Sequence, residues 1–430
     1  MRLVEIKREI PVVGEFDIVV AGAGPAGICA AMSAARQGSK VALVERFGII
    51  GGNLTSGHVG PLLGLVGNGT MRDEITKVLE VEQYSTHFDV EKAKINLTNW
   101  ISHPNIELFL NSPIVDVVMS GNEINGVVIG TQNGMEAIKG KIVIDSTGDG
   151  AVSFLAGADV EMGRREDGLV QPVTIMFTVS GIDKEQRIVC THEEDDTVIP
   201  KGNYLDLCRK ASETGKLPPT VNIVRLYKTQ HADERMVNAT QLNHIDGLKH
   251  SDLAKSQLEL RNQMLQVVEF LRETVPGFEN CKIKDSSDII GVRETRRVVG
   301  EYMISSSDLL AGRTFEDVMV HKADFCIDIH NPDGAGQAET EGCPPEVEPY
   351  DIPYGCFVPK KIDNLYTAGR CISGSHRAHA SYRVMNICMA MGEAIGIAAS
   401  VCVKDGAKPR ALDYKKVQKI MTDSGVELFD

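Results

Sequence analysis

Two stretches hold residue types able to do chemistry. Gly22, Gly24 and Gly27 stand in GxGxxG spacing within GAGPAG, and a polar run, His376-Arg377-Ala378-His379-Ala380-Ser381-Tyr382-Arg383, lies far down the chain. Between a strand and a helix, the first glycine makes a tight turn, the second lets backbone amides approach a pyrophosphate, and the third permits close helix–strand packing. The phosphates then meet the positive end of a helix dipole. Glu45 follows the apolar run Val41 to Val44, at the place where a carboxylate meets a ribose hydroxyl. An acid there disfavours a 2′-phosphate and so argues against NADP. A lone glycine-rich turn is a weak signal, but here strand, helix, second strand and acid fall in register over about 30 residues.

The polar run suits a different task. An arginine fork matches a carboxylate and a histidine can move a proton. His376 and Arg383 are the candidates to face a substrate; the competing roles are a satisfied loop histidine and a structural ion pair. Arg377 and His379 are weaker candidates, because alternation through the segment would turn some side chains to solvent. His330 in IDIHNPDG is a further candidate, against a turn histidine capped by Asn331-Pro332. Arg293 in GVRETRR is another, and here the favoured alternative is a charged face of Arg293, Arg296 and Arg297 paired with Glu294 and Glu301. His58, in a glycine-rich loop near Asn53, is equally a ring-facing or a plain loop residue. No metal site is expected: none of the ten cysteines forms a CxxC pair, which also argues against a redox disulfide of that type.

These residues need elements to hold them. Asp17 to Ala21 predicts a strand, Ile28 to Gly38 a helix and Val41 to Val44 a second strand. Gly51-Gly52-Asn53 follows at once, where an ordinary NAD domain would run into another helix, and paired glycines let backbone pass close to a flat ring system. Met71 to Val81 predicts a helix. Ile106 to Leu110, Ile114 to Met119, Glu123 to Ile129 and Glu136 to Ile138 predict a β-meander, and Lys141 to Asp145 a buried strand. Beyond Val160, Val173 to Val179 predicts a strand and Ser251 to Thr274 a long amphipathic helix, stopped by Pro276-Gly277. Lys184 to Val189 is ambiguous, and Asp333 to Pro349 reads as an acidic loop. Leu365 to Ala368 predicts a strand that rejoins the first sheet, and Val384 to Val403 a helix.

The chain has 430 residues and a net charge of −14. That length suits two intertwined domains. The charge argues against a nucleic acid or an anionic membrane, neither of which would find a basic face. No long uninterrupted apolar run or signal-like N-terminus is present, so the expected location is cytoplasmic, with cysteines kept as buried thiols.

Several blocks in order, GAGPAG with Glu45-Arg46, GGNLTSG, VIDSTGDGAVSFLAGA, GVRETRRVVGEYMISSSDLLAGRTF, IPYGCFVPKKIDNLYTAGRCIS and SHRAHASYRVMNICMAMGEAIG, resemble the FAD-dependent oxidoreductase family. Its nucleotide domain is similar to that of glutathione reductase and of fumarate-reductase flavoproteins. The resemblance implies an α/β chain: a Rossmann-like FAD-binding domain with a β-meander insertion, split over 1–159 and 354–430, and an α+β substrate or cap domain over 160–353. It implies that Gly22, Gly24, Ala26 and Gly27 hold the pyrophosphate, and Glu45 and Arg46 the adenosine ribose and its surroundings. By the same resemblance Gly52 and Asn53 lie along the isoalloxazine, Val115 meets the adenine, and Thr147 and Gly148 form the turn beside it. Gly369 and Arg370 approach the ribityl–phosphate chain, and Val384 and Met385 point helix amides at the flavin N1/O2 edge.

The expected activity is hydride transfer between FAD and a small organic substrate, at a C–H beside an alcohol or amine or at an activated double bond, with a histidine as proton partner. The alternatives are a flavin-dependent monooxygenase or halogenase, and a non-catalytic flavin-binding subunit or redox sensor. No second GxGxxG with a following acid occurs, so the electron donor or acceptor stays open. A homodimer is common for such an architecture.

Overall fold

A computed structural model describes residues 7–81, 87–191, 195, 197–337 and 345–429. Residues 338–344 of the acidic loop, Cys343 among them, lie outside this set.

The glycine turn joins β1 (Val12–Ala21) to α1 (Pro25–Arg36), which leads back to β2 (Val41–Val44). The chain continues through α2 (Met71–Val78), β3 (Ile106–Phe109), β4 (Ile114–Ser120), β5 (Glu123–Thr131) and β6 (Gly134–Asp145). β1 pairs in parallel with β2 on one side and with β6 on the other, Val20 lying beside Leu43 and Ile144. Ile106–Phe109 departs from the sequence reading. It is no part of the meander but pairs in parallel with β2, Leu43 beside Leu108. Period-two patterning gives a strand but not its partner, and Ile106–Phe109 is apolar enough for either place. Glu136–Ile138 and Lys141–Asp145 are likewise one strand, because β1 pairs with β6 from Val12 to Ala21 and bridges the expected break. The meander is therefore β4, β5 and the first half of β6, all antiparallel.

Four further strands form a separate antiparallel sheet: β7 (Phe177–Ser180), β8 (Arg225–Lys228), β9 (Glu234–Asn238) and β10 (Lys282–Ser286), in the order β8-β9-β7-β10. The strand expected from Val173 begins only at Phe177; Val173 and Thr174 make isolated bridges to Leu242 and Gly291. Across this sheet lies α3 (His250–Thr274), burying Leu260, Met264, Val267, Val268 and Leu271 in a core with Phe177, Val179, Leu226 and Val237. Its apolar residues recur every three or four positions, which is why one face meets the sheet.

After this insertion β11 (Leu365–Thr367) pairs in parallel with the end of β6. Two helices follow, the short α4 (His376–Tyr382) and the long α5 (Met385–Asp405). The parallel sheet thus has α1 and α5 on one face, where Ile18 and Val20 point. The meander covers the other face, with Val19 and Ala21. α5 is long and apolar enough to cross a membrane, yet 94% of its most apolar window is buried inside the protein, as a core helix should be. It packs on α1 as well as near the sheet, through Gly392 and Gly396 on one helix and Ala26 and Ala30 on the other. A bare Cα at these places lets two helix backbones come closer than the usual interaxial distance.

Candidate FAD site and its polar flank

The C-terminal ends of β1, β2, β6 and β11 converge on one cavity of about 660 Å³, within the roughly 300–1,000 Å³ range of ligand sites. Gly22, with φ of +91°, turns the chain; a Cβ there would lie 2.7 Å from the Ser146 carbonyl oxygen. Gly27 sits inside the turn, where a Cβ would lie 1.8 Å from the Gly22 carbonyl oxygen. At Gly24 a Cβ would meet nothing within 4 Å, so the backbone wall is open to the cavity. Gly24 caps α1 without any side-chain hydrogen bond, and Pro25 opens the helix. The first-turn amides of a helix capped in this way suit an anion, a pyrophosphate included.

Glu45 is buried at the end of β2, and its carboxylate accepts the amide of Ala23 at 2.7 Å and that of Phe47 at 3.0 Å. These two bonds fix the acid beside the glycine turn. Arg46 is half exposed, 3.6 Å from Asp149. Gly52 approaches so closely that a Cβ on it would lie 3.0 Å from the Gly24 Cα, and a Cβ on Gly369 would lie 3.0 Å from the Ala26 Cβ. Three chain segments that bear glycine therefore meet at the start of α1 and leave a cradle of bare backbone. The residues present fit FAD.

The cavity wall includes Gly22, Gly24 and Ala26; Glu45 and Arg46; Gly52 and Asn53; Thr147 and Gly148; Gly369 and Arg370; and Arg383 and Met385. Gly27 is not exposed to it. Neither is Val115, whose side chain is 45% accessible; Pro113 and Ile114 stand at the wall instead. Val384 caps α5 behind Met385. Arg370 is tied down: its Nε donates to the Gly148 carbonyl at 2.9 Å, and its other nitrogens bond the Val292 carbonyl and the Asp149 carboxylate. Leu253, Ala254 and Gln257 of α3 and Ile289–Ile290 close the cavity from the insertion side.

The polar run differs from the alternation expected of it. It forms α4, so side chains three or four apart share a face. His376 does not reach the cavity; its Nδ1 lies 2.8 Å from Glu294 Oε1, the fully buried carboxylate that also bonds Arg297. His379 is buried edge-on against the Tyr382 ring, with neither ring nitrogen hydrogen-bonded, and burial and then Arg297 hold its pKa well below the usual value. Arg383, just past α4, does line the cavity and bonds both the carboxylate and the carbonyl of Asp328 at 3.1 Å.

His330 is brought to the same place. Its Nε2 lies 3.5 Å from Asp328 Oδ2, and its amide donates to Gln171 Oε1 at 3.3 Å. Burial, and then the Arg293 charge, push its pKa down to about 4, so the ring is neutral at ordinary pH. Burial works to raise the Asp328 pKa, but His330 and Arg383 outweigh it and hold the acid below its usual range. The arginines of GVRETRR divide: Arg297 pairs with Glu294, Arg296 lies 3.9 Å over the Phe154 ring, and Arg293 donates to the Pro172 carbonyl at 2.7 Å. His58 is not part of the cavity wall and ties its loop to the insertion, 2.9 Å from Thr178 Oγ1 and 2.8 Å from Asp285.

Asp328 and Asp149 were not singled out from the sequence. Asp328 had a signal: two positions before His330 in an extended stretch, both side chains fall on one face. Asp149 had none, because its partner Arg370 is distant in sequence.

Among proteins of similar sequence, the thiamine thiazole synthase of Pyrococcus horikoshii is 28% identical over 153 residues, which are 32% of this chain and 59% of that protein. The chain therefore spans about three fifths of that relative's length. The soluble pyridine nucleotide transhydrogenase of Ectopseudomonas mendocina is 34% identical over 91 residues, 21% of this chain and 17% of that one. Among solved structures, p-nitrophenol 4-monooxygenase from Pseudomonas putida covers 96% of this chain and 87% of its own at 11% identity, with a TM-score of 0.49. Residues 17–421 match the FAD dependent oxidoreductase family. The chain belongs to that family.

Proposed function

We propose that the protein moves a hydride between its FAD and a small organic substrate, at a carbon bearing an alcohol or amine, or in the reverse sense. FAD, when bound, supplies the two-electron acceptor or donor. The chain supplies the rest. Arg383 orients the substrate from the cavity wall, while Asp328 holds Arg383 and His330 at fixed angles. His330, neutral and enclosed, is the group able to take a proton from the substrate hydroxyl or amine or to return one. The open first turn of α5, at Met385, directs positive partial charge toward anionic groups in the cavity, worth up to about 2 kcal/mol in a partly buried setting.

The observation that carries this reading is the Arg383–Asp328–His330 cluster, which joins the cavity wall to a buried histidine. It is tested by anaerobic titration of the FAD-loaded protein with small alcohols, amines and hydroxy acids, following the oxidised-flavin band. Bleaching by one class, slowed in Arg383→Lys and His330→Gln, supports the reading. Bleaching only by NADH or NADPH, with substrate-stimulated oxygen uptake, would replace it with an oxygen-activating reaction. Unchanged bleaching in both variants would remove the cluster from the chemistry.

A further inference from the structure

Arg383 stands close enough to Arg293 to depress its basicity, and the Asp328 carboxylate acts on Arg293 in the opposite sense while bonding Arg383. That carboxylate is committed. It bonds Arg383, lies 3.5 Å from His330 and accepts the Gln337 side-chain amide at 2.6 Å. Arg293 has no ion pair among the described residues; its one hydrogen bond goes to the neutral Pro172 carbonyl. Burial, and then Arg383, push its pKa down to about 9. A part-buried guanidinium with no counter-ion among the described residues is costly, because the charge loses hydration without a compensating partner.

Two further donors are left over at the same spot. Among the described residues the Nε of Arg383 is buried without a partner, and so is Nε2 of Gln171, a fully buried side chain whose Oε1 accepts the His330 amide. Gln171 immediately precedes Pro172, which holds Arg293. Arg225 acts on the same groups, so positive charge gathers here around Asp328, and with unused donors beside it the spot suits an anion. A planar anion matches guanidinium forks better than a tetrahedral one.

We propose that the substrate is a small organic acid whose carboxylate seats between Arg293, Arg383 and the Gln171 amide, beside His330. The inference deepens the hydride-transfer reading and rests on it for the bond that reacts, which would lie next to the carboxylate, as in a 2-hydroxy or 2-amino acid. In that reaction the C–H bond leaves as hydride to FAD, the hydroxyl or amine proton passes to His330, and a carbonyl or imine remains. The anion also has an effect on the base: burial is the main reason His330 resists a proton, and by neutralising Arg293 the anion removes the next cause.

The test separates the two readings. FAD-loaded protein is titrated with acetate and lactate, with acetamide and lactamide, and with inorganic phosphate, reading the flavin spectrum and the unfolding temperature. The acids are expected to perturb both saturably and their amides to do neither. Arg293→Met should weaken acetate at least about tenfold, the worth of a charge-assisted hydrogen bond, with FAD content unchanged. Should Arg293→Met fail to fold, Arg293→Lys keeps the charge, loses the fork and should still bind acetate more weakly. Amides that bind as well as acids, phosphate that displaces acetate, or acetate binding unchanged in the folded variant would each overturn the proposal. Lactate that binds but never bleaches flavin leaves the carboxylate site standing and overturns hydride transfer from 2-hydroxy acids. Bleaching by neutral alcohols without acid binding does the opposite.

Discussion

Gly392 of α5 and Ala26 of α1 touch through their backbones: a Cβ on Gly392 would stand 2.0 Å from the Ala26 carbonyl oxygen. Ala26 also lines the cavity, one residue before the last glycine of the turn. The distance between two helices therefore sets where the phosphate-facing turn lies. Gly392→Ala should cost about 1–3 kcal/mol or more through overpacking, and the purified protein should retain less FAD. Thermal unfolding together with the flavin-to-protein absorbance ratio checks both. Full FAD content at unchanged stability would show that the helices can slide apart freely.

Glu393, the next residue, is a buried acid whose carboxylate accepts the Met71 amide at the start of α2 at 2.6 Å. Burial raises its pKa to about 7, whereas an unfolded glutamate titrates near 4.3. Because the folded pKa is the higher one, the favourable contribution is complete below about pH 4.3 and is lost as pH rises through 7, by roughly 4 kcal/mol. Glu393→Gln keeps the acceptor and removes the titration. Its unfolding temperature should exceed that of wild type at pH 8, with a flatter profile between pH 5 and 8. Parallel profiles for the two proteins would show that Glu393 does not carry the pH dependence.

Glu45 spends both carboxylate oxygens on backbone amides at the mouth of the glycine turn. Glu45→Gln leaves one of those amides facing an NH₂ group. The expected loss is about 1.5–3 kcal/mol, the range for hydrogen bonds to a charged group, and it should appear as weaker FAD retention in a dialysis or reconstitution titration. Retention equal to wild type would mean that the bonds place the loop without bearing on the cofactor.

Arg370 joins the last sheet crossing, the 146–150 turn and the insertion through Gly148, Asp149 and Val292. Arg370→Met strips Asp149 of its close ion pair and leaves it the Thr295 hydroxyl at 2.9 Å and Arg46 at 3.6 Å. Stability should fall by about 1–3 kcal/mol, the range for leaving a part-buried acceptor without one of its partners. Chemical denaturation measures this, and a midpoint within error of wild type would contradict it.

The patterns written in local sequence reached the structure largely intact. GAGPAG, the two apolar runs around it and Glu45 needed no distant residue to declare a nucleotide turn, since every part falls within one strand–helix–strand unit. The apolar period of α3 and the stop at Pro276-Gly277 were equally local. Ile106–Phe109 shows where this ends: its pattern gave a strand, and only its parallel pairing with β2 removed it from the meander. The polar run shows the same limit, because local composition did not distinguish an extended loop from one helical turn that buries His379 and sends His376 to Glu294.

What tertiary structure alone decided is the grouping of charges. Arg383, Asp328, His330, Arg293 and Gln171 come from four separate parts of the chain, and no spacing rule links them. Their meeting depends on β11 rejoining β6 across the whole insertion, which brings the start of α5 against the segment ending at His330. Sequence determined that a dinucleotide would lie on the first helix, because backbone geometry at glycine is a local property. Which side chains face its far end is a matter of long-range packing and of where unpaired charge can be buried, and that was settled only by the folded chain.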